Sequence, residues 1–542
     1  MKQYKKTNIV SPAYFWGLVF FAVSLPLSKY TMSLASFFLL AVWMGYDVNR
    51  DNVFSVKDFF LTCLYGVKSR LMSFWKNKPA LWFSMLFFLD ILWLWNTSDF
   101  NSALVDLRVK LPLLLFPLLF TGLPKINYYL LRKVLMFYLL AILVSTLIGS
   151  YLLFSGKFTD IREISPFISS IRLGLNITFG IFILIYFILH DSYFTILQKL
   201  LFGITTLWFV LFLISMESFT ALVIIIVIGI SWALIGTSKL KNLFWKVILL
   251  TGIIAIPFVI GLIVREEVKK AVTSPIINLS DVDKYTETGN PYLFDTLMGV
   301  EDGKYIGAYL SLKELKYSWE KRSKIPFNGI DKNGGKIKQT IIRYLTSKNL
   351  RKDSNGINAL SLSDIRNIEN GVANYNYISH PGIHSRILKI ITGYNVYNET
   401  GNPSGSSIMQ RAEYFKAAAK IIKNHFWTGI GTGDISKIFV NVLSSMHSKL
   451  GRKYIFHSHN QYLDIFITYG IFGFLLFIWA ILYPPVVLKS YRNFFFLVFY
   501  SIMLISMFSD DTIETHAGVS LFAFFSALFM FGYKNNYSIE KH

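Results

Sequence analysis

Long apolar stretches recur along this 542-residue chain, and they restrict its possible folds more than any other feature. Runs such as Leu113–Leu119 and Val223–Ile230 are too numerous for one buried core. A membrane-spanning helix needs about 20 mainly apolar residues. Only 16% of the residues are charged, against about 25% in ordinary globular chains. The sequence therefore predicts an all-α polytopic membrane protein.

Apolar stretches of spanning length divide the chain into three regions. Residues 1–264 are predicted as an N-terminal membrane region of about nine spans, with an interfacial segment near 53–75. Residues 265–460 are predicted as one large, mainly helical external insert, and residues 461–542 as a C-terminal membrane region of about three spans. The roughly twelve predicted transmembrane helices cover residues 11–28, 31–47, 80–96, 111–123, 132–154, 173–189, 198–215, 219–236, 246–264, 461–484, 494–508 and 517–533.

Basic residues predict the side of the membrane on which each loop lies, because Lys and Arg near span ends stay on the cytoplasmic side. With both termini cytoplasmic, the loop that holds Lys125, Arg132 and Lys133 is also cytoplasmic. Several cations on the outside break this rule, namely Lys29, Arg108, Lys110, Lys157, Arg162 and Arg172.

Charge and cysteine content exclude some classes of protein. The formal net charge of +22 could indicate nucleic-acid binding, but membrane insertion itself selects positive charge beside apolar spans. We therefore predict membrane lipid as a partner and no nucleic acid. Cys63 is the only cysteine, which excludes an internal disulfide framework and a thiolate zinc site.

The segment His457-Ser-His-Asn-Gln-Tyr462 leads directly into the apolar run Leu463–Leu482. Ser458 and Gln461 have the spacing of a capping box, which predicts His459 in the first turn of a helix, at its external end. A helix N-terminus favours anions and a neutral histidine. His459 is therefore a candidate general base. The alternative is a histidine that only anchors the end of a helix.

A second candidate is Arg411, which shares a predicted helical face with Phe415, Ala418 and Ile422. A guanidinium on an apolar face requires an anionic partner, and its planar fork suits a diphosphate. The alternatives are that Arg411 packs against Glu413 or extends its charge to the membrane interface.

Two further local patterns flank Arg411. Ser407 and Gln410 have capping-box spacing, and the turn Gly429–Gly433 ends at Asp434, a predicted N-cap. The glycine-rich turn lacks the surrounding strand and helix of a nucleotide-binding loop.

Charged residues at other span ends leave several hypotheses open. Arg172 lies at the predicted external mouth of the sixth span, where it either binds an anion or extends its charge to the interface. Glu217 could carry a proton, as in a transporter. A last group of polar residues consists of Asp510, Asp511, Glu514 and His516. It could bind a metal, although carboxylates in a turn are usually solvated.

The arrangement of His459-Asn460, nine residues, Gly470 and then Gly473 resembles the signature of the O-antigen ligase and O-antigen polymerase superfamily of bacterial envelope membrane proteins. In that family the large periplasmic loop ends just before this histidine. The insert also resembles that of ligase-family proteins from Bacteroidetes-type bacteria, at Thr288–Tyr292, Trp319–Ser323, Arg343–Lys348, Leu350–Asp353, Gln410–Glu413 and Asp510–Glu514.

This resemblance implies a metal-independent, inverting glycosyltransferase without a cofactor. It would pass a glycan from undecaprenyl diphosphate to a sugar hydroxyl of lipid A-core, in the bacterial inner membrane with its active site facing the periplasm. By the same resemblance, His459 would be the catalytic base, and Arg411 and Arg172 would hold the diphosphate. The residues expected to contact glycan or phosphate are His457, Asn460, Arg343, Lys348 and Arg351.

The sequence departs from the family at one point. Many members carry a Ser-Arg pair after the seventh span, whereas this stretch reads Ser215-Met-Glu-Ser-Phe-Thr220. Arg172 or an arginine of the insert would replace the missing one, or the diphosphate is held differently. The alternatives to a ligase are a polysaccharide polymerase with the same motif and a lipid-linked sugar transporter, whose ionisable residues should lie near the bilayer midplane.

Overall fold

The computed structural model describes residues 10–48, 55–155, 161–239, 283–301, 303–379, 383–404, 406–451 and 457–534, with residue 454 and isolated positions between 242 and 273. The chain forms two compact units, one of Met1–Ser231 with Arg411–His542 and one of Trp232–Gln410. The segment from Arg411 to Asn460, which the sequence analysis assigned to the insert, therefore groups with the apolar helices.

The amino-terminal part of the chain is helical. Its helices are α1 (Pro12–Leu27), α2 (Lys29–Gly45), α3 (Val56–Lys76), α4 (Lys78–Leu92), α5 (Phe100–Lys110), α6 (Pro112–Gly122), α7 (Tyr128–Ser155), α8 (Ser170–His190), α9 (Ile196–Ser215) and α10 (Phe219–Lys239). Each predicted span from 11–28 to 219–236 coincides with one of them. Most of the predicted span 246–264 lies outside the described residues.

The second unit combines a β-hairpin with short helices. Strands β1 (Leu293–Glu301) and β2 (Lys304–Leu310) pair antiparallel, with Leu293 opposite Leu310. The helices that follow are α11 (Leu312–Arg322), α12 (Ile337–Ser347), α13 (Ser354–Asn358), α14 (Leu362–Glu369), α15 (Asn376–Ser379) and α16 (Ile383–Thr400). Trp319, Ile341 and Leu345 lie in their common core. This unit is mainly helical, as predicted, although the sequence analysis missed the hairpin.

The carboxyl-terminal part consists of α17 (Ser407–Asn424), α18 (Ile435–Ser445), α19 (Gln461–Val487), α20 (Phe494–Ser506) and α21 (His516–Ala527). Helix α19 packs against α4, and α21 packs against α6. The three predicted spans after residue 460 coincide with α19, α20 and α21.

Among the described residues, five helices are long and apolar enough to cross a membrane, namely Lys78–Asn96, Tyr128–Ser155, Ser170–His190, Ile196–Ser215 and Gln461–Val487. Shorter apolar helices accompany them, including α1, α20 and α21. These helices indicate an integral membrane protein, while the number of about twelve spans stays a prediction.

Helix α5 was not predicted, because its sequence is only weakly apolar. Asp99 caps it, with its side chain accepting from the Ser102 amide at 3.1 Å. The helix ends at Lys110, where Leu111 and Pro112 begin α6. It places Lys110 in the interior of the first unit, where only 4% of the residue is exposed.

Candidate active site

His459 lies immediately before α19, not in its first turn. Asn460 caps the helix, with Oδ1 accepting from the Leu463 amide at 3.1 Å. The Ser458 hydroxyl instead accepts from the Asn460 amide at 3.1 Å. The predicted capping box of Ser458 and Gln461 is therefore wrong, because the left-handed backbone of His459, with φ of 52°, delays the start of the helix to Gln461.

The imidazole of His459 faces a carboxylate from the connection between α20 and α21. Its Nδ1 lies 3.9 Å from Oδ1 of Asp511, with the two side chains 30% and 18% exposed. Burial disfavours the ionised form of Asp511, but the contact with His459 and the charge of Arg172 outweigh this effect and hold the pKa of Asp511 below its usual value. An ionised carboxylate therefore stands beside the Nδ1 edge of His459.

Arg172, in the first turn of α8, binds the same connection. Its side chain is 5% exposed and forms ion pairs with Asp510 and, at 3.6 Å, with Asp511. Its Nη2 also donates to the backbone oxygen of Asp511 at 3.0 Å, and its Nε donates to the Thr515 hydroxyl at 3.2 Å. These contacts fix the carboxylate that faces His459. To bind a diphosphate as predicted, Arg172 would have to exchange one of these partners.

A second buried ion network supports the same connection from the other side. Gln461 donates to Oε1 of Glu514 at 2.6 Å, and the Lys110 ammonium lies 3.0 Å from Oε2 of Glu514. The same ammonium pairs with Asp90 at 2.9 Å, and Tyr469 donates to Asp90 at 2.5 Å. The first residue of α19 is thereby tied to the acidic turn and to α4 and α5.

Arg411 lies on α17, whose buried face overlaps the predicted one only in part. Ala418 is buried, as predicted, but Phe415 is 42% exposed. The buried apolar positions are Tyr414, Ala417, Ala418 and Ile421, which follow one another at helical spacing. Arg411, three residues before Tyr414, is half-buried at the edge of this face.

Tyr414 connects Arg411 with His459. Its ring centre lies 5.7 Å from that of His459 in an edge-on arrangement. Burial raises the pKa of Tyr414 to about 12, and the nearby positive charge of Arg411 acts in the opposite direction. His459 and Arg411 thus both lie near Tyr414.

The signature glycine Gly470 interrupts α19, with φ of 64° and ψ of −167°. The interruption exposes carbonyl groups of the preceding turn. The Ile467 oxygen accepts from the Ile430 amide and the Thr468 oxygen from the Gly431 amide, each at 3.0 Å. The signature spacing therefore places a helix break at the level where the glycine-rich turn docks.

The glycine-rich turn Gly429–Gly433 has a structural role in this arrangement. Its three glycines all have positive φ angles. Asp434 follows at the N-cap position of α18, as predicted, but its carboxylate does not cap the helix. It accepts from the amide and hydroxyl of Ser98, at 2.7 and 2.9 Å. The turn thus joins α19 and α18 to the segment before α5.

Of the other predicted contact residues, His457 and Asn460 lie beside His459 in sequence and in space. The His457 Nε2 lies 2.9 Å from the Ser436 hydroxyl. Burial lowers the pKa of His457, and the negative charges of Asp511 and Glu514 act in the opposite direction. Asn460 uses its amide nitrogen to donate to the Phe508 oxygen at 2.9 Å.

Arg343, Lys348 and Arg351 belong to the second unit, and each pairs with a carboxylate there. Arg343 binds Glu301 through two bonds of 2.6 and 2.9 Å. Lys348 pairs with Asp364 at 2.8 Å. Arg351 pairs with Asp283, and this pair is the most exposed of the three, at 49% and 55%.

Residues 364–478 match the family model described as O-antigen ligase. This part of the chain is similar to the O-antigen ligase family. The resemblance to that superfamily is thereby confirmed, whereas the likeness to Bacteroidetes-type inserts stays a prediction. The matched segment contains Arg411, His457, His459 and Asn460. No curated protein matches the sequence.

Two overlapping groups around His457 and His459 offer possible metal ligands. One consists of His457, Asp464 and Asp511, the other of His459, Asp510 and Asp511, and the ligand atoms of each lie within 4.8 Å of one another. In the second group both carboxylates already pair with Arg172. A divalent cation would compete with this guanidinium for the same oxygens. The metal independence of the enzyme stays a prediction.

The contacts around His459 were not predicted from the sequence. Asp511 and Glu514 were interpreted as a solvated or metal-binding turn, Lys110 as a cation that breaks the charge rule, and Arg172 as a ligand of the diphosphate and not as a partner of Asp511. Their opposite charges on one predicted face were a usable signal, since buried charges are paired. Tyr414 gave no comparable signal.

Proposed function

We propose that the protein is a membrane glycosyltransferase that transfers an undecaprenyl-diphosphate-linked O-antigen or related glycan to lipid A-core, at the periplasmic face of the inner membrane. The family match gives a membrane enzyme of the O-antigen ligase superfamily, which includes ligases and polymerases. The observation that carries the proposal is the pairing of His459, which lies inside the matched segment, with an ionised Asp511 from the connection between α20 and α21.

In this reaction the acceptor hydroxyl oxygen forms a bond to the anomeric carbon while the bond from that carbon to the diphosphate oxygen breaks. The leaving undecaprenyl diphosphate takes the electron pair of that bond. The hydroxyl proton passes to Nε2 of His459, because Nδ1 faces Asp511. The negative charge of Asp511 stabilises the imidazolium that forms. His459 is thus the proposed catalytic base and Asp511 a positioning residue.

The cations have different roles in this proposal. Arg411 is half-buried near Tyr414, where we propose that its guanidinium balances the charge that develops on the leaving diphosphate. Arg172 holds Asp510 and Asp511, and so supports the base through its ion pairs. His457 and Asn460 are proposed to line the sugar site, and the more exposed Arg351 is proposed as a glycan contact of the second unit.

Complementation of a ligase-null strain tests the proposal. The variants are wild type, His459→Ala and His447→Ala, expressed at matched membrane levels. His447 is the control because it is an exposed histidine in the same matched segment and also has a left-handed backbone, with φ of 52°. We expect long glycan on lipid A-core with wild type and His447→Ala, and none with His459→Ala.

Two results would overturn parts of the proposal. Equal attachment by wild type and His459→Ala would show that His459 only ends a turn. Longer glycan chains without attachment to lipid A-core would identify the polymerase instead of the ligase.

A further inference from the structure

A mainly aromatic cavity with two cations in its lining lies in the first unit, outside the site around His459. Its volume is about 380 Å³, and aromatic residues form most of its wall. It lies between the start of α1, the start of α7 and the connection from α8 to α9. Its lining includes Trp16, Arg132, Lys133, Phe137 and Tyr193. The predicted orientation places this end of the helices on the cytoplasmic side, opposite to the active site.

The positive charge of Arg132 is only partly balanced by the neighbouring carboxylate of Asp191. Nη1 of Arg132 lies 3.4 and 3.5 Å from the oxygens of Asp191, longer than the usual 2.7–2.9 Å of charge-assisted hydrogen bonds. Asp191 receives shorter bonds from the Tyr128 hydroxyl at 2.7 Å and the Tyr193 amide at 3.0 Å. Arg132 therefore retains capacity to bind a further anion.

Lys133 adds a second cation at the rim. It is exposed, and its ammonium lies 4.4 Å from the ring centre of Tyr129. Among the residues that the structure describes, Lys133 has no carboxylate partner. The guanidinium of Arg132 lies 3.5 Å from the ring centre of Tyr193, another residue of the lining. Among the described residues, the cavity lining thus contains two cations, and the carboxylate of Asp191 lies behind Arg132 outside that lining.

The surroundings of the cavity are apolar on the side that would face lipid. Trp16 is 54% exposed, and its ring packs edge-on against Phe137 at 5.7 Å. Leu140, one turn beyond Phe137 on the spanning helix α7, is 55% exposed. A ligand of this cavity would therefore contact cations at one end and an apolar helix surface at the other.

We propose that this cavity binds the phosphate headgroup of an anionic glycerophospholipid, with its acyl chains along Trp16, Phe137 and Leu140. Basic pockets between transmembrane helices on the cytoplasmic side bind such headgroups. The cations bind the phosphate, and the aromatic residues hold the glycerol region at the membrane interface. The apolar surface distinguishes a phospholipid from a free phosphate ion as the ligand.

Native mass spectrometry of the purified full-length protein tests this site. The protein in neutral detergent is titrated with phosphatidylglycerol, with phosphatidylcholine and with inorganic phosphate, and bound adducts are counted. We expect tighter binding of phosphatidylglycerol than of phosphatidylcholine, and about fivefold weaker phosphatidylglycerol binding by Lys133→Gln. Lys125→Gln, which changes an exposed lysine outside the cavity, should bind like wild type.

A double variant tests the buried cation without leaving an unpaired charge. Arg132→Gln combined with Asp191→Asn should lose the preference for phosphatidylglycerol while the thermal unfolding midpoint shows that it folds. Equal binding of the two lipids by wild type, unchanged binding by Lys133→Gln, or displacement of phosphatidylglycerol by equimolar inorganic phosphate would each overturn the proposal.

Discussion

The orientation of a single imidazole decides the chemistry proposed for this protein. Asp511 faces Nδ1 of His459, and Arg172 fixes Asp511 through its side chain and its backbone oxygen. The contact of His459 with Asp511 does not follow from sequence spacing, because more than fifty residues separate the two and the chain between them forms two helices.

Asp511→Asn should lower kcat for glycan transfer by about 100-fold while KM changes little. The amide keeps the shape of the carboxylate but removes the negative charge that stabilises the imidazolium. Steady-state kinetics of the purified enzyme measure both constants. Asp511→Glu should recover part of the activity. A loss confined to KM would instead assign Asp511 to substrate binding.

The burial of His457 should make the stability of the fold depend on pH. Burial lowers its pKa below the ordinary value of 6.5, so the unfolded chain binds its proton at a higher pH than the folded one. The stability of the fold should therefore fall as pH drops through 6.5 towards the folded-state pKa. His457→Gln removes the titrating group and should show a smaller decrease.

Thermal unfolding midpoints between pH 5 and pH 7 measure this difference. Both proteins are compared in the same detergent. Parallel pH curves for wild type and His457→Gln would contradict the assignment.

At the scale of single elements, the apolar runs predicted where the main helices lie, but the capping-box pairs, three residues apart, did not predict their first residues. The predicted capping box at Ser407 is displaced by one residue, since the Ser406 hydroxyl accepts from the Met409 amide at 3.5 Å. The Asp434 carboxylate binds Ser98 instead of its own helix. A polar side chain at a helix start binds whichever donor the tertiary fold brings nearest, and sequence spacing does not contain that information.

Gly470→Ala should destabilise the first unit strongly. A β-carbon at this position would lie 2.4 Å from the Trp427 oxygen, and the left-handed backbone alone costs about 1–2 kcal/mol for a residue other than glycine. We therefore expect a large decrease in the unfolding midpoint and in membrane yield.

The matched control is Gly203→Ala on α9, where no atom lies within 4 Å of the added β-carbon. Alanine favours a helix over glycine, so this variant should unfold at the same temperature as wild type or slightly above it. A similar decrease in both variants would show that the Gly470 break is not required.

At the scale of the whole molecule, charged groups that are distant in sequence meet in the interior of the first unit. Lys110 joins Asp90 to Glu514, and its side chain and that of Asp90 are 5% and 1% exposed. This network connects α4, α5, α19 and the acidic turn. It therefore couples the stability of the apolar helices to the position of Glu514 and of Gln461, which begins α19.

Lys110→Met should lower the free energy of unfolding by about 3–5 kcal/mol, because it leaves two carboxylates without their cation. Combining it with Asp90→Asn should cost less than the sum of the two single variants, since both carry the same pair. Unfolding in detergent measures the cycle, with the exposed Lys125→Met as control. Additive losses would show that the two side chains do not interact.

The sequence by itself determined the class of protein and the position of its main helices. The apolar runs fix both, because a segment of about 20 apolar residues has few alternatives to a helix in the membrane. It also predicted His459 and Arg411 as candidates, since these residues lie in a local motif whose order along the chain defines the family, and the family match contains both. Their catalytic roles stay predictions.

Only the tertiary structure decided how the candidate residues are arranged. The pairing of His459 with Asp511, the ion pairs that engage Arg172, and the burial of Lys110 all join segments that are far apart in the chain. The energy of these contacts depends on burial and distance in space. These contacts form only once the whole fold has brought the acidic turn between α20 and α21 against the start of α19. Local sequence patterns therefore do not predict them.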